Sequence, residues 1–212
     1  MVPTRERYRR GARLYDVVSG EWPVYGAGRR IALELLALRP GERVIDLGCG
    51  TGLNLPGVLE GVGPTGRVAA VDRSPDMLAV ARRRAERQGA TAQVALVEAD
   101  ATTLDPAVLV AGLEGPADAV IASYTLSIMA DPQAAWRRTL AACRPGARVA
   151  IVDMQDPTGP FRLLTPLARA FAGFGGADLD AHPWRMIEQD AREVTARSVR
   201  GAHIQIRQGV LP

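Results

Sequence analysis

The stretch from Arg43 to Asp72 constrains this chain more than any other. Val44, Ile45, Asp46 and Leu47 form a short, largely apolar run, the pattern of a parallel strand buried on both faces. The run stops at Gly48-Cys49-Gly50-Thr51-Gly52. Three alternating glycines remove the Cβ at every other position of that turn, so the backbone can take positive φ there and a ligand can lie directly against it. Leu53, Asn54 and Leu55 then open a helix whose N-terminal N–H groups favour electron-rich ligand atoms. A second strand, Arg67 to Val71, ends in Asp72. That is about 20 residues beyond the glycines, where a doubly wound sheet places the acid that accepts hydrogen bonds from ribose hydroxyls.

Spacing separates the candidate cofactors. A dinucleotide fingerprint is GxGxxG, whereas this chain reads GxGxG behind an acid, Asp46, at the strand end. VIDLGCGTG followed by Asp72 resembles the first motif of class I S-adenosylmethionine-dependent methyltransferases. The resemblance implies an α/β fold: a Rossmann-like, seven-stranded, mostly parallel sheet with a C-terminal antiparallel hairpin and helices on both faces. It also implies S-adenosyl-L-methionine as cofactor and S-adenosyl-L-homocysteine as product. An NAD-dependent oxidoreductase is disfavoured by the spacing and by the lack of an evident hydride-transfer residue. The bland alternative is a glycine-rich turn that merely packs helix on strand.

A chain of 212 residues suits one domain. Its expected parts are an N-terminal helical lid (1–40), a cofactor-binding core (43–153), a variable substrate cover (154–194) and a terminal hairpin (195–208). No apolar run approaches the ~18 residues that span a bilayer, and MVPTRERYRR lacks the apolar core of a signal peptide. A cytoplasmic location is therefore expected. Cys49 and Cys143 fall in separate elements, and His182 and His203 are isolated, so neither a disulfide nor a metal centre is expected. All 26 basic residues are arginine, which with abundant Ala and Gly suggests a GC-rich bacterial coding sequence. The net charge of +3 is no nucleic-acid footprint.

Residues 4–20 interleave Arg5, Arg7, Arg9, Arg10 and Arg13 with Tyr8, Leu14, Tyr15 and Val17. They read as an amphipathic helix with a solvated basic face. The alternative is a peripheral contact with anionic lipid, each Arg adding ~1 kcal/mol. A helix is expected from about Gly28 to Leu38. The RLYDVVSG segment is similar to the YD segment of methyltransferases acting on phospholipids and quinone precursors, which implies Tyr15 beside the cofactor; a core role for Tyr15 stays open. Ser74-Pro75-Asp76 is a helix start, with Met77, Leu78, Val80 and Ala81 on its apolar side and Arg82, Arg83, Arg84 and Arg87 pointing outward. The resemblance implies that Met77 packs on the adenine ring. It gives Asp100, beyond a strand from Gln93 to Val97, the adenine amino group, and the Ala101 N–H the ring. Asp46, Gly48, Gly50, Thr51, Gly52, Asn54, Asp72, Arg73, Thr102 and Ser123 complete the implied cofactor contacts. A helix cap by Asp100 or Thr102 is the competing reading.

The fourth strand, Ala117 to Ala122, leads into Ser123-Tyr124-Thr125-Leu126-Ser127, the loop that faces the transferable methyl group in the family. Asp131-Pro132 opens a helix with Trp136 on its buried face, and Arg144-Pro145-Gly146 is expected to turn into strand five, Arg148 to Asp153. Phe161 to Phe174 is apolar and interrupted by Pro166, so it reads either as a kinked core helix or as a mobile cover over a greasy substrate. A helix from Arg185 to Val194 and strands at Thr195–Arg200 and Ala202–Gln208, joined at Gly201, end the chain.

Methyl transfer from a sulfonium is an in-line displacement, and positioning alone can supply ~7–11 kcal/mol of the barrier. Neither a protein nucleophile nor a metal is required, and a base is needed only for a protonated acceptor. The SYTLS loop lacks the Asn/Asp-Pro-Pro-aromatic tetrad of nucleobase methyltransferases, which argues against nucleic acid. The YD-containing basic N-terminus, Asn54, the SYTLS loop and the apolar 161–174 stretch together resemble bacterial phospholipid and betaine-lipid N-methyltransferases. That resemblance implies a small-molecule or lipid-headgroup acceptor, an amine for preference. Tyr124 is assigned to the acceptor pocket, its ring sheltering a methylammonium by cation–π attraction; Tyr25, Trp22 and His182 are weaker candidates. Methylation of a quinone precursor, and cofactor binding without catalysis, stay open.

Overall fold

The computed structural model describes residues 25–212. It forms one sheet from β1 (Arg43–Leu47), β2 (Arg67–Asp72), β3 (Val94–Glu98), β4 (Ala117–Ser123), β5 (Cys143–Met154), β6 (Arg192–Val199) and β7 (Ile204–Val210), in the order β3-β2-β1-β4-β5-β7-β6. β1 to β5 pair in parallel and β7 runs antiparallel to both its neighbours. The helices are α1 (Gly26–Leu36), α2 (Leu55–Val62), α3 (Pro75–Arg87), α4 (Pro106–Leu113), α5 (Pro132–Leu140), α6 (Thr165–Gly175) and α7 (Arg185–Asp190).

Strand periodicity divides the core in two. Val44, Val68, Ala70, Ala119, Ile121, Ala150 and Val152 face α1, α2 and α3, while Ile45, Leu47, Val71, Val120, Val149 and Ile151 face α4, α5 and α7. With both faces covered, the centres of the parallel strands are apolar, and the buried acids Asp46 and Asp153 lie near their carboxyl ends. The strand order reverses between β1 and β4, and in such sheets ligands bind at that switch point, beyond the carboxyl ends of the strands.

The helix starts follow their chemistry. The Ser74 side chain accepts from the Met77 N–H, Asp105 from Ala107 and Asp131 from Ala134, each with proline following in the first turn. Elsewhere the structure departs from expectation. The first helix lies two residues earlier, because Ala37 turns left-handed and closes it. Arg144-Pro145-Gly146 is a bulge inside β5, where the register with β4 slips and Arg144 pairs with Asp118 at 2.6 Å. Pro166 occupies the first turn of α6, behind a 3-10 turn at Gly159–Leu164, so it removes no hydrogen bond and makes no kink. The helix expected to Val194 ends at Asp190; Ala191 is extended and residues 192–194 already belong to β6. The final hairpin turns through Arg200, Gly201 and Ala202, all at positive φ, which is longer than a tight turn on Gly201 alone. Tyr15, Trp22 and the arginine-rich stretch 4–20 lie outside the described residues.

Candidate active site

At the switch point a cleft encloses about 1040 Å³ of space, part of it open to solvent. Its floor is the Gly48–Thr51 turn; Asp72 to Ser74 and Met77 form one wall, Ala99 to Thr102 another, and Ser123 to Thr125 with Ile128 to Ala130 the far end. The three glycines of the turn act differently. A Cβ on Gly48 would overlap the Thr125 side chain, and one on Gly52 would meet Leu55 and Ala81. A Cβ on Gly50 would meet nothing, so that bare backbone faces the cleft.

Asp72 fixes this geometry. One carboxylate oxygen accepts the Gly50 N–H and the other the Ser74 N–H, both at 2.9 Å. Burial raises its pKa against these hydrogen bonds. A carboxylate offers about four lone-pair positions, so acceptor capacity remains for ligand hydroxyls. Asp100 is exposed, and its Oδ1 accepts both the Thr102 hydroxyl (2.7 Å) and the Thr102 N–H (2.9 Å), which lower its pKa. Neither residue caps the following helix; Asp105 does.

Behind the turn lies a buried polar cluster. Asp46 is fully buried at the end of β1 and accepts from the Asn54 side-chain nitrogen at 2.8 Å. Its Oδ2 has no partner among the described residues. Burial pushes its carboxyl up to about 6. Asn54 also reaches Ser123 Oγ at 3.4 Å and accepts from Arg29 at 3.3 Å. Asp46, Gly52 and Asn54 thus support the cleft from behind, whereas Gly48, Gly50, Thr51, Asp72, Arg73, Met77, Asp100, Ala101, Thr102, Ser123 and Tyr124 line it.

Tyr124 sits at positive φ and is held there from three sides. Its N–H donates to the Val152 carbonyl at 2.7 Å, its hydroxyl donates to the Tyr25 carbonyl at 2.8 Å, and the Tyr25 ring meets it edge-on at 5.0 Å. The Arg29 guanidinium lies 5.1 Å from its ring centroid. The ring expected to shelter a methylammonium of the acceptor thus already has a cation of this chain against it. His182 is apart from this group, packed on Trp184 at 5.0 Å.

A family profile described as a methyltransferase domain matches residues 38–202. The chain belongs to the class I S-adenosylmethionine-dependent methyltransferases.

Among its relatives is the ubiquinone/menaquinone biosynthesis C-methyltransferase UbiE of Ectopseudomonas mendocina (strain ymp), 32% identical over 145 residues, which are 68% of this chain and 54% of that protein. The chain spans about half the length of that relative. A SAM-dependent methyltransferase from Aquifex aeolicus superposes with a TM-score of 0.64 at 16% identity, over 91% of this chain and 93% of that one. A phosphoethanolamine N-methyltransferase from Haemonchus contortus does so with a TM-score of 0.74 at 17% identity, over 100% of this chain and 61% of that one. At these identities the likeness is one of fold.

The residues present fit the family's cofactor. The bare Gly50 backbone leaves room for a ligand against the turn, Asp72 beside it keeps acceptor capacity for sugar hydroxyls, and the orphaned Asp46 oxygen adds negative charge behind the turn, where the amino-acid end carries an ammonium. Two contributors escape a reading of the sequence. Arg29 has no motif of its own and gains its role only through contacts 25 residues away at Asn54 and across the sheet at Tyr124. Arg84 does not point outward with its neighbours; its Nε donates to the Thr51 carbonyl at 3.1 Å and ties α3 to the turn.

Proposed function

We propose that this methyltransferase acts on a neutral or anionic small molecule of the phenol or quinol class. The observation that carries this reading is the Arg29 guanidinium over Tyr124, at the end of the cleft lined by Thr125, Ile128, Met129 and Ala130. A cation there repels a methylammonium and lowers the pKa of a nearby phenol, favouring the electron-rich phenolate. The lining carboxylates, Asp72 and Asp100, belong to the β2 and β3 side of the cleft. Kinship with quinone C-methyltransferases supports the same reading.

The bound cofactor supplies an electrophilic methyl group on a sulfonium. The chain's own work is orientation. Asp72 keeps the turn in shape, and the Tyr124 loop holds the acceptor face. Asp153, fully buried, accepts the Ser127 hydroxyl at 2.7 Å and the Ser127 N–H at 3.1 Å, which anchors the far end of that loop. Ile128 and Met129 exclude water. With Arg29 favouring the ionised phenol, the hydroxyl proton passes to solvent before methyl transfer, and a ring proton displaced by methylation at carbon passes to solvent after it.

The test is transfer of a labelled methyl group from S-adenosylmethionine by the full chain to a short-chain hydroquinone and, separately, to phosphatidylethanolamine. Label on the hydroquinone alone is the expected result. Label on the amine restores the N-methyltransferase reading, and label on neither, with the cofactor bound, favours a binding-only protein.

A further inference from the structure

The helix beside the acceptor end of the cleft is inside out. Along α6, the positions turned inward are Thr165, Ala168, Ala172 and Gly175, a stripe of small residues. The large apolar side chains point the other way: Leu164, Leu167 and Phe171, spaced three and four apart, are 50, 57 and 59% exposed. The preceding 3-10 turn adds Phe161 at 50% and Leu163 at 89%. Five of the seven large apolar residues exposed among the described residues fall in this one segment, so the patch is not the scatter every surface carries.

The charges around it have one sign. Between residues 157 and 176 the charged residues are Arg162 and Arg169, with no acid. Arg169 is balanced by Asp156 at 2.6 Å and Asp180 at 3.2 Å, which fasten the back of the helix to the loops on either side. Arg162, exposed between Phe161 and Leu163, has no ion pair among the described residues. An apolar ridge carrying a free cation is complementary to an anionic amphiphile interface, where the ridge enters the acyl boundary and the cation meets headgroup charge.

The inner side of the same helix packs toward the cleft. Ala172 packs in one cluster with Met154, Leu179, Tyr25 and Tyr124, and the Asp178 N–H, just past α6, donates to the Ser127 carbonyl at 3.0 Å. The chain enters the described fold at Tyr25, in that cluster. No described helix is long and apolar enough to cross a membrane, and none is needed for surface docking.

We infer that the 161–171 face seats this methyltransferase on an anionic lipid surface with the acceptor end of its cleft beside the membrane. The inference goes beyond the acceptor reading and is measured without methyl transfer. The full chain is mixed with vesicles of phosphatidylcholine alone or with added phosphatidylglycerol, and floated at low and high salt. Wild type is expected to float with the anionic vesicles and to be released by salt. The surface double variant Leu163→Asp/Leu167→Asp is expected to lose partitioning by about tenfold or more, while keeping its melting temperature and its affinity for S-adenosylhomocysteine. Val108→Asp, at an exposed apolar site on α4 (44%) outside this face, is expected to float as wild type. Undiminished flotation of the double variant overturns the inference, and its loss instead in a variant with Arg5, Arg7, Arg9, Arg10 and Arg13 changed to Ser assigns docking to the N-terminal segment. A wild-type dimer that the double variant dissociates, with no vesicle binding by either, overturns it in favour of a second copy on this face.

Discussion

Asp72 carries two loads that are usually treated separately. It is the acceptor proposed for ribose hydroxyls, and it is the strut that holds Gly50 and Ser74 in place through their N–H groups. Asp72→Ala removes both, leaving two N–H donors unpaired and the cleft floor free to shift. The expected outcome is a loss of S-adenosylhomocysteine affinity of ~1–3 kcal/mol, read by titration calorimetry. Unchanged affinity would separate Asp72 from the cofactor. Arg29 illustrates what one position cannot disclose by itself. Its meaning comes from Tyr124, Asn54 and Asp46, gathered from three different elements, and no local pattern around Gly28-Arg29-Arg30 encodes that meeting.

At the scale of elements, β1 and β5 each carry a fully buried acid one residue before their carboxyl ends. Burial pushes both Asp46 and Asp153 from the usual 3.8 up to about 6, against the hydrogen bonds from Asn54 and from Ser127 and Met154. Between about pH 4 and 6 the folded chain therefore retains protons that the unfolded chain has released. Unfolding free energy is expected to fall as pH rises through that window, by on the order of 2–3 kcal/mol for each acid, and to level off above it. Urea titrations across the window measure this, and Asp46→Asn should flatten the curve. A stability that instead rises steadily from pH 4 to 6 would show that these acids ionise freely in the fold.

The same scale shows what was legible. Strand, glycine turn, helix, strand and acid were readable because each is local: apolar runs mark strands, and Ser, Asp and Pro mark helix starts. The β5 bulge was not, because Arg144-Pro145-Gly146 has the composition of a turn and is held in the sheet by non-local contacts, Arg144 with Asp118 and the Gly146 N–H with the Leu211 carbonyl. Nor was the start of β6, where the sheet edge claims residues whose composition suits a helix. Pro166 was misleading for a simpler reason: its effect depends on whether it falls inside a helix or at its start.

Across the whole molecule, the sheet brings residues far apart in sequence to one rim. The turn after β1, the acids after β2 and β3 and the loop after β4 meet because parallel strands point their carboxyl ends the same way. α1 and α6 complete the rim, one supplying Arg29 and the other an apolar outer face. The cofactor half of the site was therefore largely readable in the sequence, since its motifs follow the strands that carry them. The acceptor half was not, since it is assembled from α1, the β4 loop and the chain beyond β5. A crystal structure of the full chain grown with S-adenosylhomocysteine tests the central claim most directly. The account predicts the sugar on Asp72, the base between Met77 and Ala101 beside Asp100, and the amino-acid end along Gly48–Gly50. A nucleoside bound away from the glycine turn, or lying in it with base and amino acid exchanged, would contradict it.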